Sequence, residues 1–280
     1  MLNLLLAIMC SSMITIFMRI GENKICNNMG MFMTNYAVCV VLSRYFMGRT
    51  SLFSVGDGVL FAVGLGLFTG IMFLTNFSFM QWNMRQNGVV LTTTFTKLGV
   101  MVPTIMAFLV FHEEPGLLQT LGIFTAVAAI ILLHFDRTGA GSRGGKKFFL
   151  ILLLLCSGFT ESLTNIFDKM GESSAKDHFL LCTFFAALVL ALILGLRKKE
   201  KFSPWDFIFG FLIGIPNYFS SRFMLLALET VPSVIAYPLC SVGAIVVVSV
   251  AGVLLFKEEI SRQKKIALGL VMLSLVLLNL

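Results

Sequence analysis

The stretch DRTGAGSRGGKK, residues 136–147, is a polar, glycine-rich interruption in a chain that is otherwise strongly apolar. Five apolar runs precede it and five follow it, so it marks a linker between two halves of similar length. The sequence therefore predicts a first five-helix repeat over 1–137, a linker over 138–147 and a second five-helix repeat over 148–280.

The composition identifies lipid as the solvent of these runs. Of the residues, 58% are hydrophobic and only 12% are charged, and the mean hydropathy is +0.93, whereas soluble domains carry about 25% charged residues. A bilayer core requires about 20 apolar residues per helix, and the runs are too long and continuous for barrel strands. We therefore expect an all-α membrane protein with ten transmembrane helices. The runs cover 2–18, 31–47, 58–80, 88–111, 116–135, 148–166, 179–196, 205–228, 232–256 and 265–280.

The two halves repeat the same motifs in the same order. The third run of each half carries a glycine pair, Gly66-x-x-x-Gly70 in the first and Gly210-x-x-x-Gly214 in the second. Because five is an odd number of crossings, the second half must be inverted relative to the first, as in many secondary transporters. Further matches are Phe17…Gly21-Glu22 with Phe167…Gly171-Glu172, Phe79-Met80 with Phe223-Met224, and Phe111–Glu114 with Phe256–Glu259.

The segment Val110–Pro115 (VFHEEP) and its partner Leu255–Glu259 (LFKEE) each end a fourth helix in an acidic turn. Together with Ala227–Ala236, they resemble the drug/metabolite transporter superfamily, specifically its EamA-type ten-helix members. This chain has His112 or Lys257 where that family often has glycine. The resemblance implies an alternating-access carrier for small metabolites, amino acids or drug-like compounds.

Ionisable side chains inside a span cost at least about 2.5–3.5 kcal/mol, so each is a candidate for function. Lys97 lies ten residues into the fourth run, with Thr93 and Thr94 on the same helical face. Lys97 would hold an anionic group of the substrate, or it would pair with a carboxylate on another helix. Both interpretations stay open.

The other candidates lie in the third, sixth and eighth runs. Arg222 could grip a carboxylate or phosphate, or it could extend to the membrane interface. Glu161 could accept a coupling proton, or it could pair with Lys97 or Arg222. Asn76 and Asn217 would line a cavity or bond helices together.

The expected function is secondary transport of a small carboxylate- or phosphate-bearing metabolite. The expected partners are this substrate, the lipid bilayer, a coupling proton or counter-substrate, and a second copy of the chain in a homodimer. The motifs point to no catalytic site, metal, cofactor or nucleic acid, so we do not expect an enzyme. A multi-pass location in the bacterial inner membrane is expected. The alternatives are efflux of cationic drugs and, from another class, a non-transporting membrane scaffold.

The basic residues of the loops give a prediction about orientation. Most of them lie in 136–147, 197–201 and 257–265, on the side opposite to both termini. The positive-inside rule places that side in the cytoplasm, whereas the usual orientation of EamA-type proteins is the reverse. A cysteine introduced at Ser142 or Ser203 should then react with a membrane-impermeant reagent only from the cytoplasmic side. Labelling only from outside would favour the family orientation.

Overall fold

The protein is helical throughout the part that the structure, a computed structural model, describes, and no strand occurs there. The expected all-α class is therefore confirmed. The described residues are 1–21, 24–25, 27–48, 57–87, 95–96, 99–112, 116–134, 147–198, 202–256 and, beyond these, 266, 269–270, 273–274 and 276–277. The helices are α1 (Leu2–Gly21), α2 (Asn28–Met47), α3 (Asp57–Asn87), α4 (Met101–Leu109), α5 (Leu117–His134), α6 (Lys147–Met170), α7 (Lys176–Lys198), α8 (Pro204–Leu228) and α9 (Ser233–Phe256).

Membrane spanning follows from the length and apolar character of these helices. Within the described residues, five segments are long and apolar enough to cross a bilayer. The chain is therefore an integral, multi-pass membrane protein. The tenth run, 265–280, is described only at separate positions, so the expected count of ten helices stays a prediction. The five segments are Leu2–Gly21, Gly58–Met80, Phe148–Met170, Ser173–Arg197 and Pro204–Leu228.

The chain forms two compact units, and each unit draws on both halves of the sequence. The first unit comprises Met1–Leu74 and Ile166–Ala227, and the second comprises Thr75–Asn165 and Leu228–Leu280. Helices α3 and α6 each contribute one part to the first unit and the other part to the second.

In the first unit, α2 and α7 pack against each other as antiparallel neighbours. Gly195, near the end of α7, lies against Met29 and Met33, near the start of α2. Glycine allows this approach because a Cβ at position 195 would lie only 2.6 Å from the Met33 methyl carbon. The α2–α7 pair forms the centre of the unit.

The glycine pairs of α3 and α8 dock on this central pair in a reciprocal manner. On α3, a Cβ at Gly66 would lie 2.7 Å from the carbonyl oxygen of Phe179 on α7. On α8, a Cβ at Gly210 would lie 2.6 Å from the carbonyl oxygen of Met31 on α2. The third helix of each half thus packs on the second helix of the other half.

The second glycine of each pair repeats the exchange one turn later. Gly70 meets the carbonyl of Thr183 on α7, and Gly214 meets the carbonyl of Asn35 on α2. Phe179 and Met31 are 148 positions apart in the sequence, and so are Thr183 and Asn35. The same constant offset at both levels shows that a two-fold relation links the halves in this unit.

The direction of the helices shows that this two-fold relation is an inverted one. Contacts of α3 advance along α7 from Phe179 to Thr183, so these two helices are parallel. Those of α8 advance along α2 in the same way, from Met31 to Asn35. Because α2 and α7 are antiparallel, α3 and α8 must also be antiparallel. The expected inversion of the repeats is confirmed for these four helices.

In the second unit, the fourth run departs from the single apolar helix expected over 88–111. A turn occupies Gly99–Val100, and α4 begins only at Met101. Pro103 explains the break, because proline lacks an N–H and its ring clashes with the carbonyl four residues earlier, which is that of Gly99. The Gly99 carbonyl accepts instead from the Val102 amide, at 2.9 Å. The expectation of a continuous helix is wrong at this point.

Other packing in the second unit joins α9 to α4 and α5. After α4, His112 has φ of 51°, in the left-handed region that favours glycine. The family's frequent glycine at this position fits that backbone conformation. The acidic pairs Glu113-Glu114 and Glu258-Glu259 and the linker residues 138–146 lie outside the described residues.

The reciprocal docking predicts different effects for two glycines of α3. Gly70→Ala places a methyl group against the Thr183 carbonyl, and it should destabilise the protein by about 1–3 kcal/mol through overpacking. Gly64→Ala is the matched control, because within the described structure no atom outside the adjoining backbone of α3 lies within 4 Å of a Cβ at that position. Thermal unfolding in detergent should show a lower Tm for the first variant alone. Equal Tm values for the two variants would contradict the tight contact.

Candidate substrate-binding site

The predicted site residues fall into three groups. Lys97, Thr93 and Thr94 lie outside the described residues. Asn76 and Glu161 belong to the second unit, whereas Arg222 and Asn217 belong to the first.

In the second unit, a polar stripe runs along α6 through Ser157, Glu161 and Asn165. These residues are four positions apart, so their side chains follow one another along the same side of the helix. The stripe is unusual in a helix that is long and apolar enough to span the bilayer, because polar groups in hydrocarbon need partners. Such a stripe therefore belongs in the interior of the protein.

Two neighbouring helices contact this polar stripe. Asn76 on α3 donates from Nδ2 to the hydroxyl oxygen of Ser157, at 3.4 Å. Tyr237 on α9 donates from its hydroxyl group to the backbone carbonyl of Glu161, at 3.2 Å. Helices α3 and α9 thus both contact the polar stripe of α6 within the second unit.

Burial separates the polar stripe from water. Ser157 is 3% exposed and Asn165 is 0% exposed, and Oε2 of Glu161 is also buried. Oδ1 of Asn76 is buried and accepts no hydrogen bond within the described structure. Each unsatisfied buried polar group costs about 1–3 kcal/mol. The arrangement can therefore offer hydrogen-bond acceptors and donors to a polar ligand.

The start of the α4 segment lies directly against the same helix. Gly99 and Gly158 are in backbone contact, since a Cβ at Gly99 would lie 3.0 Å from the Gly158 nitrogen. Gly158 precedes Glu161 by three residues, which is about one turn of α6. This contact places Gly99 next to the polar stripe.

In the first unit, Asn217 acts as a helix-to-helix connector. Its Nδ2 donates to Oδ1 of Asn35 at 3.2 Å, and both side chains are buried. The thiol of Cys39 donates to the Gly214 carbonyl at 3.3 Å. These bonds join α2 to α8 beside the Gly210–Gly214 docking face. Asn217 therefore has a structural role in this unit.

Arg222 is engaged by residues from three helices of the first unit. Its guanidinium forms an ion pair with Asp177 at the start of α7 and donates to the Tyr218 hydroxyl at 2.9 Å. It also lies 5.1 Å from the centre of the Phe46 ring at the end of α2, within the range of a cation–π contact. The ion pair is partly exposed, at 23% for Arg222 and 31% for Asp177.

Asp177 was not among the residues predicted from the sequence. It lies just before the seventh apolar run, 179–196. Arg222 was expected to pair with Glu161 as one alternative, and the acidic partner found in the first unit is Asp177. Only the packing of α7 on α8 could have revealed this pair.

Asp206 is a buried carboxylate that the sequence also did not single out. It is 0% exposed and accepts from the backbone amides of Asn27, at 3.1 Å, and Ser203, at 2.8 Å. Nearby, the ammonium group of Lys24 lies 4.6 Å from the centre of the Trp205 ring. Asp206 thus ties the segment before α2 to the start of α8.

Comparison with known proteins places these helices in a family. Residues 148–280 match the EamA-like transporter family. The second half of this chain is therefore similar to an EamA-like transporter repeat. That family belongs to the drug/metabolite transporter superfamily, so the resemblance noted in the sequence is confirmed, and the EamA match supports a membrane transporter. The matched residues coincide with the second repeat expected from the linker position.

Two further comparisons extend over nearly the whole chain. An uncharacterized protein of Haemophilus influenzae is 23% identical over 268 residues, which cover 93% of this chain and 91% of that protein. A solved crystal structure is similar with a TM-score of 0.79 and 12% identity, over 99% of this chain and 94% of that one. At this low identity the structural likeness shows the fold alone.

If Arg222 and Asp177 form a direct ion pair, exchanging the positions of their two opposite charges should preserve the attraction between them. Asp177→Asn should lower the Tm, because it removes the charged partner of a partly buried guanidinium. The double variant Asp177→Arg with Arg222→Asp should recover part of that loss in thermal unfolding. The control is Arg44→Gln, because Arg44 donates to the Gly48 carbonyl in an exposed position. A double variant less stable than both Asp177→Arg alone and Arg222→Asp alone would argue against a direct pair.

Proposed function

We propose that this EamA-like protein is a secondary transporter that moves a small carboxylate- or phosphate-bearing metabolite across the bacterial inner membrane by alternating access. The observation that carries this proposal is the polar stripe of α6. Its side chains present buried donors and acceptors inside an apolar, membrane-spanning helix. Polar groups in such positions mark substrate or ion pathways by default.

The inverted relation of the repeats supports the alternating-access mechanism. When two halves are related by an inverted two-fold relation, the chain can adopt two conformations in which the halves exchange roles. One conformation opens the site to one side of the membrane, and the other opens it to the opposite side. The reciprocal docking of α3 and α8 provides the equivalent contacts that such an exchange needs.

Lys97 is proposed as the cation that binds the anionic group of the substrate. The supporting observation is the backbone contact of Gly99 with Gly158, because Gly99 follows Lys97 by only two residues. The hydroxyl groups of Thr93 and Thr94 are proposed to assist through hydrogen bonds. A substrate with a carboxylate or phosphate then neutralises a charge that would be costly within the span.

Glu161 is proposed either to balance Lys97 when the substrate is absent or to carry a coupling proton. Both roles need a carboxylate within the site, and both are compatible with its place in the polar stripe. Arg222 and Asn217 are assigned supporting positions, because their polar groups already bind Asp177 and Asn35.

Efflux of cationic, amphipathic compounds is the second candidate function. An aromatic cluster in the second unit favours it, in which Phe149 lies 4.8 Å from Trp82 and 6.3 Å from Phe79, measured between ring centroids. With Glu161 in the same unit, these rings could hold an organic cation. A membrane scaffold, the third candidate, would bind no small solute and would show no flux.

Transport by purified protein in proteoliposomes tests the proposal. Wild-type protein should take up a labelled carboxylate or phosphate ester from a metabolite panel, and unlabelled anionic compounds should compete. Lys97→Ala should reduce this uptake at least about tenfold, because a charge-assisted bond contributes about 1.5–3 kcal/mol.

The control is Lys169→Ala, because Lys169 is an exposed residue in the last turn of α6. It should leave uptake near the wild-type rate. Unchanged uptake in Lys97→Ala would remove the proposed role of that lysine. Competition by cationic rather than anionic compounds would select the efflux carrier instead.

A further inference from the structure

One side chain of the polar stripe stands apart from the other buried amides. Asn165 is 0% exposed, and both polar atoms of its side chain, Nδ2 and Oδ1, have no hydrogen-bond partner in the described structure. Other buried amides in the described helices do bond. Asn217 pairs with Asn35, and Asn83 donates to the Phe79 carbonyl at 3.0 Å.

An amide that is buried without partners destabilises the folded protein, because it loses its hydrogen bonds to water. The needs of folding therefore do not explain why asparagine occupies this position. Buried polar groups are almost always hydrogen-bonded, and exceptions call for a specific reason. A leucine of similar size would fill the same space without desolvating a donor and an acceptor. The amide is therefore expected to meet its partner only when a ligand is present.

We propose that Asn165 is a specificity-determining residue that binds a neutral group of the transported solute, one that both donates and accepts hydrogen bonds. A carboxamide matches the side chain best, because it can accept from Nδ2 and donate to Oδ1 at the same time. This inference rests on the proposed transport function and adds a second requirement to it. The solute carries a carboxamide or equivalent group in addition to its anionic group.

The position of Asn165 relative to Glu161 supports this assignment. Asn165 lies one turn of α6 beyond Glu161, and Ser157 lies one turn before it. A single small solute could therefore contact two successive turns of the helix, which rise by about 5.4 Å each. Sites that hydrogen-bond a polar group reject analogues that lack it far more strongly than apolar pockets reject a missing methylene group.

Stability in the absence of ligand gives the first test. Asn165→Leu should raise the Tm by about 2 °C, because it removes a buried amide without partners. Asn217→Leu is the matched control, because the same exchange there breaks the bond to Asn35 and should lower the Tm. A loss of stability in Asn165→Leu similar to that of the control would overturn the proposal.

Binding of two isosteric probes gives the second test. Succinamate and levulinate have the same charge and length. Levulinate carries a methyl ketone in place of the carboxamide of succinamate, and the ketone cannot donate a hydrogen bond. Succinamate should raise the Tm of the wild-type protein more than levulinate does. In Asn165→Leu, the apparent affinity for succinamate should fall about tenfold or more.

The outcomes separate this proposal from the transport function. Equal affinity of wild-type protein and Asn165→Leu for succinamate would overturn the role of Asn165. Binding of other carboxylates from the panel without preference for succinamate over levulinate would overturn the carboxamide assignment while transport stands. Failure of the wild-type protein to bind or carry any anion would remove the proposed function, and this inference with it.

Discussion

The close approach of helix backbones at glycine is the constraint on which the first unit depends. In a membrane, helices gain little from burying apolar side chains, because lipid tails are equally apolar. Association therefore relies on tight van der Waals contact and on hydrogen bonds between helices. The glycine pairs of α3 and α8 provide the contact, and the bonds of Asn217 and Cys39 lie beside it. A side chain larger than hydrogen at these glycines would separate the backbones.

The same physics explains which parts of the fold could be predicted from the sequence. Helices follow from long apolar runs, because lipid permits few other conformations. The repeat was visible because the glycine pairs occur at the same place in each half. The residues against which these glycines pack were not visible, because Phe179 and Met31 share no sequence motif that would predict the contact. Pro103 carried the signal for the break at Gly99, since a proline weakens the helix before it.

The candidate site was predicted less completely than the fold. Glu161 and Asn76 could be singled out as polar residues in apolar runs, and the structure brings Asn76 to Ser157 on the stripe of Glu161. Asn165 could be noticed as a polar residue, but its lack of partners is a property of packing alone. Arg222 was visible as a charge, whereas its pairing with Asp177, 45 positions earlier in the chain, depends on the contact between α8 and α7.

The reciprocal docking has a consequence for how the protein is made. While α2 and α3 enter the membrane, the helices on which they will dock have not yet been synthesised. The glycine face of α3 meets its partner only after α7 is inserted, and α2 waits for α8. The first half must therefore persist for much of translation with the docking faces of α2 and α3 uncovered by their final partners. Insertion and assembly are thus separate stages, and membrane chaperones or neighbouring chains have access to those faces in the interval.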